Sequence, residues 1–255
     1  KKTDQISYDY SHLREEDSTI PVTILTGFLG SGKTTLLNHI LNKQESLKTA
    51  VLVNEFGEIG IDNELIVKTD ENIVELSNGC ICCSINGELV ESINQILKDM
   101  KSIDYLIVET TGLADPLPIA MTFLGSELRD KTRLDSIVTL VDAENFSSHI
   151  LESDIANSQI IYGDILVLNK CDLVSESRLS EIETKLKELK KDARILKSVN
   201  GDISLPLLLS VGLFESDLVE KRDKETREKN IEETIAKLKE IKNDVRVLKS
   251  IKGNI

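Results

Sequence analysis

Residues 21–35, PVTILTGFLGSGKTT, decide the fold. Pro21–Thr26 is a short apolar run with the flat Val/Ile/Leu character of a strand buried on both faces. It runs directly into Gly27-Phe28-Leu29-Gly30-Ser31-Gly32-Lys33-Thr34, which matches G-x-x-x-x-G-K-[ST]. Leu36, Leu37, Ile40 and Leu41 then recur at helical spacing. Strand, glycine loop and helix in that order form a phosphate cradle. The glycines let main-chain N–H groups turn inward, and the helix N-terminus adds its positive dipole end. Lys33 is expected to reach the β/γ-phosphates and the Thr34 hydroxyl to ligate Mg²⁺, with Thr35 completing the loop.

Outward from this stretch, strands and helices alternate. Expected strands are Pro21–Thr26, Ala50–Asn54, Ile73–Leu76, Tyr105–Glu109, Ser136–Asp142, Asp164–Asn169 and Ala193–Ser198. Expected helices are Lys33–Asn42, Ile85–Met100, Ser147–Asn157 and Arg178–Lys191. Such alternation over about 200 residues predicts an α/β fold, a doubly wound and mostly parallel sheet. The expected organisation is a flexible lead-in at 1–18, a nucleotide-binding domain at 19–215 and a short helical appendage at 216–255. The appendage repeats residues 181–203 at an offset of 52: Lys185, Leu186, Lys187, Glu188, Asp192, Arg194, Leu196, Lys197, Ser198 and Gly201 all recur. Two copies are too few for a solenoid, so the repeat reads as a local duplication.

Composition narrows the function. The chain has 255 residues and a net charge of −13. Residues 216–255 hold 11 Lys and Arg against 9 Asp and Glu, which leaves the body at −15. An acidic body with few aromatics and no Trp argues against nucleic acid and anionic membranes as partners. No apolar run is long enough to span a bilayer. The N-terminus lacks an apolar signal region, and the chain opens at Lys1, so it reads as a fragment or a processed form. Three of four cysteines are packed together, a poor disulfide framework that points to a reducing, cytoplasmic setting.

Two further elements address a nucleotide. Tyr105–Val108 delivers Glu109 to the phosphate edge, where it would hold Mg²⁺ through water or orient the attacking water. The Gly112 N–H is placed to sense the γ-phosphate. Asp142, at the end of another strand, is either a similar acid or a plain turn residue. Asn169-Lys170-Cys171-Asp172 forms N-K-x-D at a strand end. The Asp172 carboxylate can accept from guanine N1–H and the 2-amino group. Adenine offers neither donor there, so GTP is expected over ATP. Asn169 would brace the loop, the Lys170 stem would lie over the base, and Cys171 is a spacer.

Cys80, Cys82 and Cys83 make a compact soft donor set suited to Zn²⁺, with Co²⁺ or Ni²⁺ also admissible. The fourth ligand is left open to water, a carboxylate or a client group. Glu55 and Glu58, in Asn54-Glu55-Phe56-Gly57-Glu58, contact Mg²⁺, water or the transported metal, or else are a solvated acidic loop. His12, His39 and His149 pair with no cysteine at zinc-finger spacing.

Taken together, GFLGSGKTT (27–35), NEFGE (54–58), NGCICC (78–83), ETTGLADP (109–116) and NKCD (169–172) resemble the CobW family of P-loop GTPases. The resemblance covers Pro21 to Phe214. It implies a GTP-hydrolysing metallochaperone that loads Zn²⁺, Co²⁺ or a similar ion into client metalloproteins. It also implies thiolate ligands at Cys80, Cys82 and Cys83, and Mg²⁺·GTP on the glycine loop. The chain departs from the family in having the duplicated tail where a second domain usually follows, and in lacking a His-rich stretch. The rivals are a P-loop kinase or ATPase acting on a small molecule, and a truncated form that binds nucleotide without client activity.

Overall fold

The computed structural model describes residues 19–43, 48–53, 85–99, 103–125, 127–147, 150–209 and 211–214. The expected lead-in at 1–18, the strand at 73–76, Glu55, Glu58, the three clustered cysteines and the tail at 216–255 lie outside these residues. So does the whole of the second unit into which the chain divides, 215–255.

Among the described residues six strands form one sheet: β1 (Ile20–Gly27), β2 (Thr49–Val53), β3 (Tyr105–Glu109), β4 (Thr132–Asp142), β5 (Ile165–Asn169) and β6 (Arg194–Lys197). Their spatial order is β2-β3-β1-β4-β5-β6, and every neighbouring pair is parallel. The helices described between them are α1 (Lys33–Lys43), α2 (Ile85–Asp99), α3 (Pro116–Leu124), α4 (Asp154–Tyr162) and α5 (Glu176–Leu189). The central strands are buried on both faces, which is why β3 and β5 read as apolar runs and β1 as one interrupted only by Thr23 and Thr26. One core joins Leu36, Leu37 and Ile40 of α1 to Ile107, Leu140 and Val167 of the sheet and to the segment 203–209. A further core joins Ile160 of α4 and Leu179, Ile182 and Leu186 of α5 to Leu166 and Leu168. Helices on both faces make this the doubly wound α/β fold expected. The sheet order steps from β1 to β3 on one side and to β4 on the other. That switch places a ligand crevice at the carboxyl ends of the strands.

Three elements differ from expectation, each for a local reason. Helix α3, PLPIAMTFL, is absent from the expected helices. Pro116 sits in the first turn, where its missing N–H costs nothing, and the Asp115 carboxylate caps the helix by accepting from Leu117 N–H at 3.0 Å. Helix α4 starts later than the expected Ser147, behind the single turn 150–152, because Ser153 is its cap. Strand β4 begins at Thr132, not Ser136. The register with β1 jumps from Val22 opposite Leu134 to Thr23 opposite Ser136, so Asp135 is the extra residue of a bulge.

That bulge has a buried polar centre. Asp135 is fully buried and accepts from Tyr105 Oη at 2.8 Å, Val211 N–H at 3.1 Å and Gly212 N–H at 2.9 Å. Its main-chain carbonyl also accepts from Leu213 and Phe214 N–H. Residues 211–214 are thereby fastened to the amino-terminal edge of the sheet, opposite the ligand crevice.

Candidate functional site

Strand β1 ends in the glycine loop, and the ends of β3, β4, β5 and β6 surround it. Gly32 has φ of +99°, and a Cβ there would collide with the Asn169 side-chain amide. Gly112, just after β3, lies where a Cβ would be 2.6 Å from Leu29 N. The loop is therefore gripped on both sides by chain that only glycine lets approach.

Lys33 is buried and donates to the Gly27 carbonyl at 2.8 Å and the Phe28 carbonyl at 3.2 Å. Burial holds its ammonium below the ordinary lysine range, partly opposed by the charge of Glu109. Thr34 Oγ1 donates to Glu109 Oε1 at 3.2 Å. The end of β3 is seated against β1 by Thr110 N–H to the Leu25 carbonyl and by Thr110 Oγ1 to Thr26 Oγ1, both 2.9 Å. A hydroxyl and a carboxylate thus converge at the start of α1. That oxygen donor set fits Mg²⁺, which takes few protein ligands and fills its sphere with phosphate and water. Ser31 Oγ, in the glycine loop, and Thr111 Oγ1, two residues after Glu109, are buried and make no hydrogen bond within the described residues. Buried hydroxyls normally have a partner, and a bound phosphate or its water would supply one. Leu29, Gly30 and Thr35 are exposed at the tip and the first helical turn, with Phe28 half-buried.

The N-K-x-D segment joins this loop directly. Asn169, almost wholly buried, donates from Nδ2 to the Ser31 carbonyl at 3.0 Å and accepts at Oδ1 from Gly201 N–H at 3.1 Å. Lys170 takes φ of +61°, in the left-handed region, and its ammonium lies 2.7 Å from Asp142 Oδ2. Asp172 follows in a single turn, Cys171–Leu173, and is exposed. Cys171 donates its thiol to the Leu168 carbonyl at 3.0 Å and packs against the α5 side of the core. Burial pushes that thiol up.

Two features escaped the sequence. One is the segment Ser198–Gly201 after β6. Ser198 N–H donates to the Leu168 carbonyl at 2.8 Å, and its own carbonyl accepts from Cys171 N–H at 3.1 Å. Asn200 and Gly201 both take positive φ. An Asn-Gly pair at a strand end was the available signal. The other is Gln159 of α4. Its Nε2 donates to the Gly112 carbonyl at 3.3 Å and the Ala114 carbonyl at 3.0 Å, fixing the segment after Glu109.

Between the loop tip and α4 lies a cavity of about 210 Å³ walled by Phe28, Leu29, Leu140, Phe146 and Ile160, with Asp142 and Lys170 also lining it. Among the described residues no group of three or more His, Cys, Asp or Glu gathers in a way that could hold a metal. No helix among them is long and apolar enough to cross a membrane.

The family model described as "CobW/HypB/UreG, nucleotide-binding domain" matches residues 21–197. The chain is 38% identical over 257 residues to "Zinc-regulated GTPase metalloprotein activator 1" of Dictyostelium discoideum, covering 85% of this chain and 54% of that protein. It is 41% identical over 200 residues to "Zinc chaperone YjiA" of Escherichia coli, covering 76% and 62%. The crystal structure of Zn(II)-bound YjiA GTPase superposes with a TM-score of 0.59 at 34% identity, over 77% of this chain and 63% of that one. The chain therefore spans roughly half to two thirds of the relatives it matches.

Proposed function

The chain belongs to the CobW/HypB/UreG family, and from that premise we propose that it is a GTPase that couples GTP binding and hydrolysis to delivery of a transition metal, zinc first, to client metalloproteins. The observation that carries the nucleotide half is the Asn169 amide. It ties the N-K-x-D strand end to the glycine loop through Ser31, so the base and phosphate elements form one site.

Each residue then has a task. The loop N–H groups from Gly27 to Thr34, the start of α1 and Lys33 bind the phosphates. Lys33 swings from the Gly27 and Phe28 carbonyls to the phosphate oxygens, exchanging two neutral acceptors for an anion. Thr34 and Glu109 would hold Mg²⁺, which would supply charge neutralisation to the phosphates. Glu109 orients water toward the γ-phosphorus, and the Gly112 N–H registers the γ-phosphate. Gln159, holding the carbonyls of Gly112 and Ala114, keeps that segment in place for the contact. Asp172 accepts from guanine N1–H and the 2-amino group, with the Lys170 stem over the base.

In the metal half, Cys80, Cys82 and Cys83 bind Zn²⁺, or Co²⁺ or Ni²⁺, as thiolates. Glu58 is a further oxygen donor for a metal on the same excursion between β2 and α2. The support is the thiolate chemistry of C-x-C-C together with relatives whose names specify zinc. γ-Phosphate contacts order neighbouring loops, and hydrolysis releases them, which links nucleotide state to metal release. The partner is a client metalloprotein, and the compartment is cytoplasmic.

Nucleotide competition tests the base assignment. Wild-type protein is expected to prefer GTP over ATP by two or more orders of magnitude, and Asp172→Ala to lose most of that preference. Unchanged discrimination in the variant would refute it.

A further inference from the structure

The carboxylate of Asp142 was open to two sequence interpretations, an acid serving the phosphates or a turn residue, and its surroundings support neither alone. Strand β4 lies on one side of β1 and β3 on the other. Asp142 and Glu109 therefore lie on opposite sides of β1, two strand spacings apart, and because Glu109 is level with Val138, Asp142 is also four residues further along, a separation on the order of 16 Å. Asp142 also has its acceptor capacity filled. Oδ1 takes Glu144 N–H at 3.0 Å and Asn145 N–H at 3.2 Å, and Oδ2 takes Asn145 Nδ2 at 2.9 Å and Lys170 Nζ at 2.7 Å. A carboxylate has about four lone-pair sites. Burial alone would raise its pKa, but the Asn145 amide and the Lys170 ammonium outweigh that and hold it below the ordinary carboxylate range. It is charged at neutral pH and fully engaged.

The geometry of Lys170 supplies the other half. Asp142 and Asn169 are direct partners in the β4–β5 register, so Lys170 emerges beside Asp142. Its left-handed backbone is an uncommon conformation for a non-glycine residue. That conformation is compatible with the side chain lying back across the end of β4 to reach Asp142, above the apolar cavity. The pair is largely shielded, with side-chain exposures of 28% for Lys170 and 9% for Asp142.

We propose that Asp142 is the positioning residue of the base site: it anchors the Lys170 ammonium so that the lysine stem is held as a preformed shelf for the guanine ring. This rests on the reading of Asn169–Asp172 as the base-binding segment. In the absence of the anchor, a long lysine side chain would sample many rotamers, and ordering it on binding would cost affinity. Asp142 thereby acts on the nucleotide without touching it, and takes no part in holding Mg²⁺.

The test measures Kd for GDP and inosine diphosphate by displacement of a fluorescent guanine nucleotide. The variants are Asp142→Asn, Lys170→Met and the double variant, and Mg²⁺ is titrated in each. Asp142→Asn keeps an acceptor for the 144–145 turn while removing the charge. It is expected to weaken both nucleotides about 10-fold, the scale of one partly shielded charge-assisted hydrogen bond. The preference for GDP over inosine diphosphate stays unchanged, because the 2-amino contact belongs to Asp172. The half-saturating Mg²⁺ concentration stays unchanged as well. In the Lys170→Met background, Asp142→Asn is expected to change Kd less than about 2-fold, since the group it anchors is gone. An equal loss in both backgrounds would make Asp142 a turn residue only, and a raised Mg²⁺ requirement would make it a metal ligand; either overturns the proposal. An unaltered Kd in Asp142→Asn does so too. Failure of the underlying base assignment shows separately, as Asp172→Ala retaining full discrimination between GDP and ADP.

Discussion

Replacing Asn169 by alanine removes one small side chain and opens two joints. The amide is almost wholly buried, and both its partners are main-chain groups, the Ser31 carbonyl at 3.0 Å and Gly201 N–H at 3.1 Å. Each lost bond is worth about 1 kcal/mol net, and each partner stranded without water costs about 1–3 kcal/mol. With partial relaxation, the loss comes to about 3–5 kcal/mol, a large fraction of the 5–15 kcal/mol that holds a domain together. For a domain of this size that is a fall in Tm of about 10 °C. The effect also reaches the ligand, because the glycine loop loses its brace on the β5 side. GDP and ADP are both expected to bind about 10-fold more weakly, since the phosphates are common to both. Asn169→Asp sharpens the test. It retains the shape and the bond from Gly201 N–H, but it turns an oxygen toward the Ser31 carbonyl, and is expected to be no milder than alanine. Urea denaturation followed with and without GDP measures both quantities. A stability loss under about 1 kcal/mol with unchanged GDP affinity would refute the claim that this amide joins the two halves of the site.

The bulge at Asp135 gives two further predictions. Tyr105→Phe removes the donor 2.8 Å from Asp135 Oδ2 and the hydroxyl 2.9 Å from Thr23 Oγ1, and is expected to cost about 1–2 kcal/mol in thermal or chemical unfolding. Asp135→Asn is expected to cost more, about 2–4 kcal/mol, because whichever oxygen becomes the amide meets a donor from Tyr105, Val211 or Gly212. The same variant is expected to speed proteolysis at 211–214, which Asp135 fastens; unchanged cleavage there would contradict that role.

Much of this molecule was legible because two strong periodicities coincide in it. A strand, G-x-x-x-x-G-K-T and an amphipathic helix admit one arrangement, and buried parallel strands announce themselves as apolar runs, as β3 and β5 do. Legibility failed where a tertiary partner overrides the local pattern. The start of β4 carries Arg133 and Asp135, charges that read as loop. The cost of burying Asp135 is met by Tyr105 and residues 211–214, which lie far away in sequence. Helix α3 was hidden by its prolines, although Asp115-Pro116 is itself a start signal when Asp is read as the cap. At the site, Lys33, Thr34, Glu109, Asn169 and Lys170 could be named from their motifs. The pairing of Lys170 with Asp142 could not, because it depends on the β4–β5 register and on a left-handed lysine. Ser198–Gly201 was likewise invisible as a site element until β6 was placed beside β5.

The central claim is that one chain holds guanine nucleotide and a transition metal at separate donor sets and couples them. Competitive zinc titration under buffered free-metal conditions, with Mg²⁺·GTP present, tests it most directly. The wild type is expected to hold Zn²⁺ and the Cys80/Cys82/Cys83→Ser triple variant to lose it, while both bind GTP with the same affinity. Equal zinc affinity in the two proteins would contradict the account.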